Sequence, residues 1–250
     1  MYFSISIQWQ IVLAICLFYL YDAALLLKSD EGLLRRLRNG WSGMLASQGF
    51  ELRQQWLLWP PVFVLHQPVY RLRWNAAQIT LPGDVQQARE LEAHAASFKA
   101  FALPLYLLAA LLFVALPLSM LVLHSELAQL VCLGLIYLCT AVLSLLTLRH
   151  GRQGHSPRSL ARSTALQILL CPPFALNVVR KLSLAYASSA DLLQTSYALM
   201  RPEQWQWLAG QTEQWMQREM QEIAELPEHA QYLAGMHRSL EVLQSTSTSR

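Results

Sequence analysis

Charge is what this sequence has least of. Of its 250 residues, 14% are Asp, Glu, Lys or Arg and 54% are hydrophobic, whereas an ordinary soluble domain carries about 25% charged residues. The shortfall is concentrated in three long stretches that hold almost none. Catalytic patterns are missing as well. There is no HExxH, GxSxG, Walker loop or GxGxxG, so no catalytic residue, cofactor or dinucleotide site is expected. Cys16, Cys132, Cys139 and Cys171 all lie in apolar stretches, with no CxxC and no Cys/His cluster. Cys132 and Cys139 share a helix face, but small buried hydrophobes are the simpler reading than a disulfide or a metal pair. No internal repeat is visible.

The uncharged stretches are the strongest feature present. The first runs from Ile11 to Leu27, the second from Phe101 to Leu123, and the third from Leu127 to Leu148; a bilayer core needs about 20 apolar residues. The first 21 residues contain no Lys or Arg, and the apolar run is bulky to its end. That points to an uncleaved anchor and not to a secretory leader. Pro104 and Pro117 lie inside the second run, where neighbouring helices can satisfy the freed carbonyls. His124, Ser125 and Glu126 separate the last two runs, so these form a tight helical hairpin. The expected fold is a mainly α integral membrane protein with three transmembrane helices: one N-terminal span and a helical hairpin.

Positive charge orients these runs. Residues 1–10 carry no Lys or Arg, residues 28–100 carry nine, and residues 124–126 carry none. Residues 149–181 carry six basic residues (Arg149, Arg152, Arg158, Arg162, Arg180 and Lys181) and no acid. Every count gives one topology: N-terminus outside, 28–100 cytoplasmic, C-terminus cytoplasmic. The expected location is a bacterial inner membrane. The six basic residues are expected to contact anionic headgroups of the lipid bilayer. No aromatic platform is interleaved with them, so a nucleic acid partner is not expected. Residues 182–250 reverse the balance, with four basic and eight acidic residues.

Thr164–Val179 is the ambiguous segment. It is apolar but only 16 residues long, and Cys171-Pro172-Pro173 breaks it. It reads best as interfacial or re-entrant helices on the cytoplasmic leaflet. Packing within a cytoplasmic helical domain and a fourth crossing are the alternatives.

The remaining chain divides by composition. Residues 1–27 form the anchor, and 28–100 a cytoplasmic insertion with short β-strands and a helix. Residues 101–148 are the hairpin, and 149–200 a basic linker with the interfacial or re-entrant helices. Residues 201–244 form an amphipathic helical hairpin and 245–250 a disordered tail. Inside the insertion, Asp30–Arg38 reads as a short helix stopped by Asn39-Gly40. Residues 55–59, 62–66, 69–74 and 78–81 read as a small meander, and the alternation in VYRLRW gives a strand with one basic face. Asp84 caps a helix carrying Val85, Ala88, Leu91, Ala95 and Phe98 at helical spacing. Pro202 opens a later helix with an apolar face containing Trp205, Leu208, Thr212 and Met216. Pro227 ends it, and Ala230, Leu233, Met236, Leu240 and Leu243 mark the last helix.

Two polar residues stand out. Asp22 lies inside the first apolar run, where an ionisable group must pair, protonate or reach water. It is either an ion-pathway or assembly residue, or an interfacial group solvated from the cytoplasm or bonded to Tyr19, Tyr21 or an arginine of 35–38. Asn177, followed by Arg180-Lys181, is a candidate headgroup contact or a helix-surface polar residue. His150 and His155 have no acidic or cysteine companion nearby and read as loop histidines, and no metal site is expected. The functional expectation is a non-enzymatic accessory or scaffold subunit that docks a protein partner, or a second copy of itself, on its cytoplasmic face. The alternatives are an enzyme acting on lipid or a lipid-linked substrate, with Asp22, the arginines of 149–162 and the Cys-Pro-Pro turn at its site, and a transporter or channel subunit.

Overall fold

The computed structural model describes residues 6–52, 55–58, 64–225 and 229–248. Helix α1 (Ile7–Ala23) is followed by strands β1 (Leu25–Leu27), β2 (Glu31–Leu37), β3 (Gly40–Leu45), β4 (Phe50–Leu52), β5 (Gln55–Leu58) and β6 (Val69–Arg73). Helix α2 (Val85–Ala96) continues through a 3-10 turn at Ser97–Phe101 into α3 (Ala102–Ala110), a π-type turn at Leu111–Ala115 and α4 (Leu116–Leu121). Then come α5 (Glu126–Arg152), α6 (Arg158–Leu170), a 3-10 segment Pro172–Asn177, α7 (Val178–Leu184), α8 (Leu192–Leu199), α9 (Pro202–Ile223) and α10 (Ala230–Thr248). The chain divides into two compact units. One holds residues 1–24, 60–68 and 94–186; the other holds 25–59, 69–93 and 187–250.

The first unit is helical. Val85–Leu121 and Glu126–Arg152 are each long and apolar enough to cross a membrane, and only 33% of each apolar window is buried. α1 is apolar too but only 17 residues long. It stops at Ala23, because Leu25–Leu27 leave the helix and pair with Trp56–Leu58. The first apolar run is therefore part helix and part strand, which corrects the expected continuous span to Leu27. Pro117 has no N–H, and its ring crowds the carbonyl four residues earlier; the π-type turn immediately before it accommodates both. His124 takes a left-handed φ of 47° in the reversal, and Ser125 Oγ caps α5 by accepting from the Ala128 amide.

The proline-broken segment folds back on α5. Ser144 Oγ donates to the Ala165 carbonyl at 3.0 Å, and a Cβ on Gly151 would overlap the Ala161 methyl. α6 therefore runs antiparallel to α5. Cys171-Pro172-Pro173 ends α6, and the chain turns through the 3-10 segment into α7. Leu105, Leu108, Leu143, Ile168, Ala175 and Leu176 are part of one buried core in this unit.

The second unit is α plus β. It holds two antiparallel three-stranded sheets, ordered β1-β5-β4 and β3-β2-β6. The β-bearing insertion and the C-terminal helices, read separately in the sequence, share this unit. Asp30–Arg38 is not a helix: β2 pairs with β3 through Leu37↔Gly40, and Gly40 has φ +141°. Asn39-Gly40 is a hairpin signal here, which overrides the leucine spacing. In β6, Val69, Tyr70 and Leu72 are buried while Arg71 and Arg73 are exposed, matching the expected basic face. Residues 64–66 and 78–81 form no strand, and residues 59 and 62–63 of the expected meander, like Pro227, lie outside the described residues.

Side chains of α8, of its cap residue Met200 and of α9 approach the second sheet closely: Leu192 meets Gly32, and Leu208 and Met200 meet Gly43. α9 buries Trp205, Leu208, Thr212 and Met216. α10 runs through Thr248, past the start of the tail expected to be disordered. The hydroxyls of Ser245, Thr246 and Ser247 donate back to carbonyls three or four residues earlier in the same helix.

Candidate functional site

The two polar residues singled out by the sequence meet. The Asn177 amide nitrogen donates to Asp22 Oδ2 at 3.0 Å, and Lys181 Nζ lies 3.1 Å from Asp22 Oδ1. Asn177 Nδ2 also reaches the Tyr19 carbonyl at 3.4 Å. Arg180 donates from Nη1 to the Ala23 carbonyl at 3.1 Å, with only 6% of the residue exposed. The last carbonyls of a helix have no intrahelical partner and carry its negative dipole end. Arg180 supplies a donor to the last of them, Ala23, and Lys181 balances the Asp22 carboxylate. Phe174 completes the contact, edge-on to Phe18 and 4.8 Å beneath Lys181 Nζ.

Local sequence explains why one short stretch does this. Pro172-Pro173 forces a 3-10 segment, and α7 follows it. Residues 177, 180 and 181 lie three and four apart, on one helical face. The cluster thus fastens the broken-helix segment to the end of α1. Arg180 is committed to a backbone carbonyl and Lys181 to a carboxylate. Arg149, Arg152, Arg158 and Arg162 are exposed.

His150 is helical and buried, not a loop residue. It packs against His155 and His94, with ring centroids 5.0 and 5.7 Å away, and against Phe98 at 4.6 Å. His94 Nε2 donates to the His155 carbonyl at 2.8 Å, and Tyr186 stacks on His94 at 4.2 Å. Burial, reinforced by the neighbouring His155 and His94, pulls the His150 imidazole down to about 4. Burial also lowers His94. His150 Nε2 and Ser156 Oγ have no hydrogen-bond partner among the described residues. His94 escaped the sequence reading because its companions lie 56 and 61 positions away and no local motif joins them. Among the described residues, no group of three or more His, Cys, Asp or Glu could hold a metal ion.

A third feature is a notch of about 200 Å³ lined by Leu148, Gly151, Arg152, Arg158, Ala161 and Arg162. In the second unit, a cavity of about 280 Å³ is lined by Leu37, Ser42, Glu203, Gln204 and Trp207. Trp207 is 52% exposed there. No family model, curated protein or solved structure matches the chain, so these sites are read from their own chemistry.

Proposed function

We propose that the chain is a non-enzymatic integral membrane protein, an accessory or scaffold subunit that docks a partner on its cytoplasmic face. The observation that carries the non-enzymatic reading is the commitment of Asp22. Its two carboxylate oxygens are occupied by Lys181 and Asn177 of the same chain. The lipid-enzyme alternative needs Asp22 and Asn177 in one cleft with His150 or His155, and those histidines pack in a separate aromatic cluster.

The membrane reading is supported by apolar side chains that face outward. Leu13, Leu17, Leu130, Val131, Leu138 and Leu145 are all exposed, a surface that water would not tolerate at this size. In this reading α1, Phe101–Leu123 and Leu127–Leu148 cross the bilayer. α6 and the 3-10 segment after it enter and leave by the same leaflet. The α1 helix needs a locally thinned bilayer, or Trp9 at the boundary, to match its length. The Lys and Arg distribution puts the N-terminus outside, as in a bacterial inner membrane protein. Trp207 and its cavity offer an anchor for a protein partner, since exposed aromatics are the commonest binding hot spots.

Purification in mild detergent with mass measurement tests the reading. A scaffold gives a particle containing more than one 28.4 kDa chain or a stoichiometric companion, and Trp207→Asp dissociates it. A bare monomer in both forms counts against it.

A further inference from the structure

We infer that the notch between the end of α5 and the start of α6 is a specific site for the phosphate of an anionic phospholipid. Three arginines are among its lining residues: Arg152 at the end of α5, and Arg158 and Arg162 one turn apart on α6. No acidic residue lines it, and none of the three makes a side-chain hydrogen bond or ion pair among the described residues. Like charges one turn apart repel, and among the described residues no carboxylate pairs with them. An external phosphate would, because guanidinium groups match its geometry and bond it with charge assistance. The first turn of α6 carries no acid, and its N-cap residue Pro157 makes no side-chain cap. Its free amides therefore add donors at the same end.

The walls favour a lipid over a free anion. Leu148 lines the notch, and Leu145 lies one turn further along α5 on the same face. Leu166 lies one turn beyond Arg162 on α6, followed by Leu169 and Leu170. Leu145, Leu166 and Leu170 are 67%, 60% and 75% exposed. An apolar track therefore leads away from the arginines along both helices, suited to the acyl chains of a lipid whose phosphate sits in the notch. Gly151 makes the floor, because any side chain there would meet Ala161. The inference rests on the membrane reading above and narrows it. Of the six basic residues, Arg152, Arg158 and Arg162 hold the headgroup, whereas Arg180 and Lys181 are used internally.

The test is thermal unfolding of the full chain in maltoside micelles, titrated separately with dihexanoyl phosphatidylglycerol, dihexanoyl phosphatidylcholine and inorganic phosphate. Phosphatidylglycerol should raise the midpoint saturably, with the other two giving little shift. Arg158→Gln and Arg162→Gln should each weaken the apparent affinity about tenfold, whereas Arg149→Gln, which removes the same charge outside the notch, should leave it unchanged. All three positions are exposed, so the midpoints without lipid should stay equal. The inference is overturned if phosphatidylglycerol gives no shift, if phosphate or phosphatidylcholine matches it, or if Arg149→Gln weakens binding as much as Arg162→Gln. Alkaline washing of membranes tests the underlying reading separately. Release of the wild-type chain would overturn membrane integration itself, whatever the titration gives. Retention with no phosphatidylglycerol shift would overturn the notch alone.

Discussion

Asp22 and Asn177 lie 155 positions apart in the chain and 3.0 Å apart in the structure. With Lys181 on the other carboxylate oxygen, this contact joins the end of α1 to the broken-helix segment. Asp22→Asn should lower the unfolding midpoint, because Lys181 is left without its anion. Adding Lys181→Gln to that variant should restore part of the loss. The pair is only partly exposed, so a double-mutant cycle should give a coupling of about 1–2 kcal/mol. Zero coupling would mean that the ion pair is incidental and that another contact holds the segment.

Close approach of α5 and α6 depends on Gly151. Gly151→Leu would force the helices apart, at about 1–3 kcal/mol for an overpacked contact. Cys171, at the far end of α6, should then react faster with a maleimide in a chain where it is the sole cysteine. An unchanged rate would show that α6 is held from elsewhere.

Acid should weaken the histidine cluster. The His150 imidazole is held near 4, below the value of about 6.5 for a free imidazole. As pH falls, the unfolded chain takes up the proton first. The stabilisation is therefore complete above about 6.5 and is lost progressively down to about 4. The unfolding midpoint should decline across that window, and His150→Phe should flatten the decline, since the ring sits among Phe98 and Phe101. A wild-type profile flat from 7 to 4 would contradict this.

In the second unit, Ser239 Oγ accepts from the buried Ile79 amide at 3.1 Å. Ser239→Ala leaves that donor without a partner and should cost about 1–2 kcal/mol. Denaturant unfolding followed through tryptophan fluorescence would measure it, and a change below about 0.5 kcal/mol would mean that another acceptor replaces the hydroxyl.

Much of the helical framework can be read from the chain because long apolar periodicity is a local signal. The Asp84 and Pro202 helix starts, the reversal at His124-Ser125 and the alternating face of β6 all follow from neighbouring residues. Asp30–Arg38 misled because Leu33, Leu34 and Leu37 fit a helical stripe as well as they fit a buried central strand. Only the partners β3 and β6 decide between the two. Leu25–Leu27 misled for the same reason, as their apolar character suits both a membrane helix and a strand paired with β5. Asp22 and Asn177 were each conspicuous as polar residues in apolar surroundings, but their partnership depends on how the Cys-Pro-Pro break is packed. The histidine cluster left no local trace, since His94 sits on an amphipathic helix far from its companions.

The most direct measurement is a pair of reporter fusions, one after Ser125 and one at the C-terminus. A reporter active only outside the cytoplasm should be active after Ser125 and inactive at the C-terminus. This is the expected result if the chain crosses the membrane three times and Thr164–Val179 returns to its own side. Activity at both positions would mean that this segment crosses, and the fold of α6 against α5 would then not be the arrangement in the membrane.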